Sequence, residues 1–180
     1  MSRIAVVFAA VVLIVAGVFA VRIFAVDNGA MPEVGQMAPT FTLPSQEGTP
    51  VNLDSYRGKW VVLYFYPKDM TTGCTIEAHN FQRDLAKYQA ANAVVLGVSV
   101  DSVDSHKQFC TKDSLTFTLL SDADKKVVAE YGSLNPAWGG AKRNTFLISP
   151  DGKIVKVWTG VDPNHHSEEV LGALGSFEKS

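Results

Sequence analysis

The sequence predicts an α/β fold, a layered sandwich around a central mixed sheet, and three observations carry that prediction. Trp60 to Tyr66 (WVVLYFY) and residues 94–100 (VVLGVSV) are continuous apolar and aromatic runs, as expected of strands covered on both faces. Between them Ala78, Phe81, Leu85 and Tyr88 recur at helical spacing, the apolar stripe of a helix lying on a sheet. Further on, TFLIS and KIVKVW flank Pro150-Asp151-Gly152, a turn joining two strands.

The remaining elements follow in order. Asp101 and Ser102 offer caps for a second helix running to about Lys112. Val170, Leu171, Leu174 and Phe177 form the apolar face of a closing helix. The sequence β-α-β-α, then a hairpin, then a helix is the order of a thioredoxin-like three-layer α/β/α sandwich with a central mixed sheet. This domain is expected over residues 41–180. Residues 27–40, with Gly, Pro, Asn and acidic residues, read as a linker.

Ahead of the linker lies an apolar segment, residues 1–26. Residues 4–21 are apolar throughout, between Arg3 and Arg22. As a helix they would reach about 27 Å, close to the roughly 30 Å hydrocarbon core of a bilayer. An uncleaved membrane anchor is the first reading. A secretory signal cleaved after Ala20 is the second, and a buried core helix the third. A short basic N-terminus stays in the cytoplasm, so the globular domain is expected outside the cytoplasmic membrane, tethered or released to the periplasm.

Composition excludes several classes. The 180 residues suffice for one domain and a short extension. Sixteen basic residues face 18 acidic ones with no basic stripe, so no nucleic-acid partner is expected. Two cysteines, Cys74 and Cys110, are too few for a disulfide-stapled scaffold or a four-thiolate zinc site. The adjacent His165 and His166 read as solvated turn residues, and no metal is expected.

The segment Tyr66-Pro67-Lys68-Asp69-Met70-Thr71-Thr72-Gly73-Cys74 joins a buried strand to an amphipathic helix. Cys74 therefore falls at the helix N-terminus, where free amides and the helix dipole favour a thiolate. On position alone, a small buried apolar residue is an equal alternative. The surrounding residues decide. Pro67, Thr71 and Cys74 match PxxxTxxC, and YFYPKD, GCTxEA, LLSD at 119–122 and TFLIxxDGKI at 145–154 accompany them. With these blocks in order over about residues 33–177, the chain resembles the peroxiredoxin Q family, also called the bacterioferritin comigratory proteins.

That resemblance implies a thiol peroxidase with Cys74 as the attacking thiolate and no cofactor. It places Thr71 to bond the thiolate and orient the peroxide, Pro67 to limit water access, and Arg143 to hold the thiolate and the charge developing on the peroxide oxygens. A fixed guanidinium suits that task better than lysine. Glu77 supports the first helical turn and buttresses the site. The substrates implied are hydrogen peroxide and organic hydroperoxides, the reductant thioredoxin or a similar dithiol, and the state a monomer. Two departures stand out. Many members carry a second cysteine five residues after the first, where this chain has His79, and Thr72 replaces a usual proline. Another subset resolves its sulfenic acid from about the position of Cys110. Cys110 is thus the candidate resolving residue, with core packing on one helical face with Val103, or an external thiol, as the alternatives.

Rival chemistries of the same fold fare worse. Thiol–disulfide exchange would want CxxC, and Glu77 occupies the second position; copper delivery would want CxxxC, and Ala78 stands there. A non-catalytic binding module leaves Pro67, Thr71, Cys74 and Arg143 unexplained.

Overall fold

The structure, a computed structural model, describes residues 30–177. A five-stranded mixed sheet forms its centre. Its strands are β3 (Trp60–Phe65), β4 (Ala93–Ser99), β5 (Thr118–Ser121), β6 (Asn144–Ile148) and β7 (Ile154–Thr159), in the order β5-β4-β3-β6-β7. β3 and β4, and β4 and β5, run parallel; β6 is antiparallel to β3 and to β7. A small hairpin of β1 (Thr42–Pro44) and β2 (Pro50–Asn52) precedes the sheet. The helices are α1 (Thr72–Ala90), α2 (Val103–Asp113), α3 (Lys126–Glu130) and α4 (His166–Phe177). The expected thioredoxin-like α/β sandwich is the fold observed.

The apolar runs explain themselves through the sheet. Val61, Leu63 and Phe65 of β3 enter one apolar cluster, with Phe146 and Tyr131. Val62, Tyr64 and Tyr66 enter the other, with Cys74, Phe81, Phe109 and Leu174. Both faces of the strand are covered, so no polar alternation survives in its sequence. α1 turns Ala78, Phe81 and Tyr88 inward, the predicted stripe; Leu85 lies only partly buried beside them. The predicted cap of α2 is Ser102, whose hydroxyl accepts from the Ser105 amide at 3.2 Å.

A close approach fixes one glycine. Gly97 pairs with Tyr64 across β3 and β4. A Cβ there would lie 2.7 Å from the Tyr64 ring and from Leu119. Gly97→Ala is expected to destabilise the protein by about 1–3 kcal/mol, because neither neighbour can retreat within a packed core. Urea unfolding checks it; an unchanged midpoint would contradict this packing.

Two expectations are corrected here. Residues 31–40, read as linker, pack onto the domain. The Gly35 amide donates to the Ile154 carbonyl, and the Ala38 amide to that of Gly152. Ala38 is buried in the core. Backbone pairing with the β6–β7 turn satisfies polar groups that a free linker would leave to water. The second correction concerns the membrane. The run at 4–21 lies outside the described residues, and among those described no helix is long and apolar enough to cross a membrane.

Candidate active site

The register of the sheet builds the site. β3 ends at Phe65, and its partner in β6 is Asn144. Arg143 therefore emerges beside the loop that joins β3 to α1. That loop turns through Met70, whose φ is 57°, and delivers Thr71 as the N-cap of α1. Cys74 follows in the first helical turn and is fully buried.

Arg143 reaches Cys74 directly. Its Nη2 donates to the Cys74 Sγ at 3.3 Å, and its Nη1 donates to Glu77 Oε2. The fork thus binds a sulfur and a carboxylate together, which a point-charge lysine does not reproduce. Gly73 makes the approach possible: a Cβ at this position would sit 3.2 Å from Arg143 Nη2. Burial works against the guanidinium's charge, but Glu77 and Cys74 outweigh it, and the group is held more firmly protonated than usual. Glu77 is buried, with Oε1 left without a hydrogen-bond partner. Burial pushes its carboxyl up to about 7 against the opposing pull of Arg143.

The other predicted residues are placed as follows. Thr71 is exposed and its hydroxyl donates to the Lys68 carbonyl at 2.9 Å, with no bond to the helix amides. Pro67 is half-buried just beyond β3. Cys110 lies in α2 and packs, partly buried, on the apolar cluster that contains Cys74. Both thiols are free. Burial, with the charges of Asp69 and Glu47, pushes the Cys110 thiol up to about 11. Val103, expected on one face with Cys110, is only partly buried; the face that α2 buries carries His106 and Phe109.

Residue reasoning missed a polar network beside the site. Asp69, buried, accepts from Tyr66 Oη at 2.6 Å and from Ser105 Oγ at 2.7 Å. Its second oxygen also meets His106 Nδ1 at 2.8 Å, while His106 Nε2 faces the Leu120 carbonyl at 3.1 Å. The available signal was the four-residue spacing of His106 and Cys110, which puts both on neighbouring parts of one helix.

Known proteins resemble this chain in sequence and fold. The family model described as AhpC/TSA matches residues 34–157. A putative peroxiredoxin of Coxiella burnetii is 47% identical over 79% of this chain and 98% of its own length. The Xylella fastidiosa peroxiredoxin Q, solved as a Cys-to-Ser mutant, superposes with a TM-score of 0.79 at 37% identity, covering 83% of this chain and 99% of that one. A Xanthomonas campestris bacterioferritin comigratory protein, solved in a study of its alkyl peroxide reduction activity, gives 0.75 at 36% identity, covering 81% and 99%. About four-fifths of this chain thus spans these relatives almost entirely. The expectation of a membrane-tethered, extracytoplasmic enzyme finds support neither in them nor in the described residues, and it is withdrawn. The chain belongs to the AhpC/TSA family, in its bacterioferritin comigratory protein or peroxiredoxin Q branch, whose members are thiol-dependent peroxidases.

Proposed function

We propose that Cys74 is the peroxide-attacking residue and that Arg143 and Thr71 assemble the peroxide around it. The observation that carries this reading is the Arg143 fork on Cys74 Sγ at the first turn of α1. The thiolate attacks one peroxide oxygen, an S–O bond forms and the O–O bond breaks. The departing oxygen takes a proton and leaves as water or an alcohol, and Cys74 becomes a sulfenic acid. Arg143 stabilises negative charge as it moves from sulfur to the departing oxygen. The Thr71 hydroxyl already donates to Lys68, so its lone pairs are free to accept from the peroxide O–H. Pro67 screens the thiolate from water. The relative described for alkyl peroxide reduction supports alkyl hydroperoxides as substrates beside hydrogen peroxide.

The Cys110 thiol then attacks the sulfenic sulfur; an S–S bond forms, the S–O bond breaks and water leaves. A thioredoxin-like dithiol reduces the disulfide. A second reading, in which an external thiol resolves Cys74, is favoured by the half-buried position of Cys110, where burial pushes the thiol up to about 11.

Intact mass after one equivalent of peroxide tests both. Wild type is expected to lose two hydrogens, and Cys110→Ser to gain one oxygen at Cys74. An oxygen retained in wild type would select the external thiol. Peroxide left unconsumed with Cys74 unmodified would sink the peroxidase reading.

A further inference from the structure

α2 is poorly suited to stand alone. Eight of its 11 residues are Val, Asp, Ser, His, Phe, Cys or Thr, all in the weaker part of the helix-propensity order. An isolated helix of that length is marginal even with the best sequence. Its buried residues are His106 and Phe109. Its last turn ends on Ser114, held at a φ of 54°, a conformation that costs a non-glycine residue energy. The amides of Ser114 and Leu115 both close onto the Cys110 carbonyl, so Cys110 occupies the turn that frays first.

The N-terminal half is held differently. Ser105 and His106 both bond Asp69, a residue of the catalytic loop two positions before Thr71. The Asp69 amide in turn donates to Asp101 Oδ2 at 2.9 Å, just ahead of α2. One carboxylate therefore ties the loop that shapes the peroxide site to the helix that carries Cys110. These Asp69 bonds, at 2.7 to 2.9 Å, are buried or part-buried and partly charge-assisted, the class whose loss costs most.

The geometry points to Asp69, through Ser105 and His106, as a latch that holds α2 closed and sets the rate at which Cys110 is delivered to the Cys74 sulfenic acid. This rests on Cys110 as the resolving residue. Disulfide formation requires the two Cβ atoms within about 4.5 Å of each other, while the two thiols here are free and sit on different helices. Opening α2 also brings the Cys110 thiol into water, removing the burial that suppresses its ionisation. The latch thus sets how long the sulfenic acid waits, and so how often a second peroxide carries it to the sulfinic acid. Asp69 and His106 act as positioning residues and touch no reacting atom.

Rapid quench and intact mass after a single equivalent of peroxide separate the two steps. In His106→Leu, which keeps an apolar filler but removes the donor, disulfide formation is expected to be about tenfold faster than in wild type. Ser105→Ala is expected to give about threefold. His106→Asn, which returns a donor near the Nδ1 position, should fall back to within about twofold of wild type. The first step should change by less than about threefold in all three. Hydrogen exchange of the 103–113 amides in the reduced protein should quicken in the same order. Disulfide formation no faster in His106→Leu and Ser105→Ala, with wild type forming the disulfide, overturns the latch alone. His106→Asn as fast as His106→Leu overturns the hydrogen bond as its basis. Wild type forming no Cys74–Cys110 disulfide overturns the resolving role and the latch together. Should His106→Leu fail to fold, Ser105→Ala decides.

Discussion

Arg143→Gln is expected to lower the rate constant for peroxide reduction by about 10²–10³-fold, the usual cost of removing one preorganised donor from a developing negative charge. Cys74→Ser sets the floor at no detectable consumption, since a serine hydroxyl at this site has neither the acidity nor the polarisable sulfur of the thiolate. The size of the Arg143 effect follows from its double engagement. Nη2 meets the reacting sulfur and Nη1 meets Glu77, so one planar group both orients and neutralises. Glutamine keeps a donor but loses the charge. Lysine keeps the charge but has one nitrogen in place of the planar fork that reaches Cys74 and Glu77 from two, so Arg143→Lys should recover less than about tenfold of the loss. Pre-steady-state peroxide reduction by the reduced protein measures the first step free of recycling. A rate for Arg143→Gln within threefold of wild type would remove Arg143 from the chemistry and leave it only the ion pair with Glu77.

Some of this was legible in the residues and some was not, for physical reasons. WVVLYFY announced a strand because β3 is buried on both faces. Cys74 was legible because helix position and PxxxTxxC coincide in one short segment. The hairpin β1–β2, with three residues in each strand, and the five-residue α3 are too short to develop a period. The segment 31–40 looked like a linker because its ties to the domain rest on backbone hydrogen bonds and the burial of a small side chain, Ala38, which composition does not encode. α2 was placed correctly and capped as expected, yet its buried face was misread. A seven-residue spacing pointed to Val103 and Cys110, whereas a histidine is buried at position 106 because Asp69, 37 residues earlier, supplies its partner. Contacts of that separation are made by the fold.

Glu77→Gln is expected to gain about 3 kcal/mol in stability relative to wild type as the pH rises from about 4.5 to 8. Burial raises the folded-state carboxyl to about 7 from an ordinary 4.5. Between those values the folded protein holds a proton that the unfolded chain has released. Stability therefore falls with rising pH through this window and levels off above 7; the contribution is fully present below about 4.5 and lost as pH passes the folded value. Glutamine carries no such proton, so the difference between the two unfolding free energies isolates Glu77 from Asp122 and Glu130, which burial also shifts upward. Urea titrations of both reduced proteins at pH 5, 6, 7 and 8 give that difference, and parallel curves would refute the assignment. The same substitution is expected to slow peroxide reduction by about tenfold at pH 7.5, because a neutral amide holds the Arg143 fork less firmly than a carboxylate. Glu77 would then be a residue kept at a cost in stability, its ionised form unfavourable to the fold and useful to the arginine that faces Cys74.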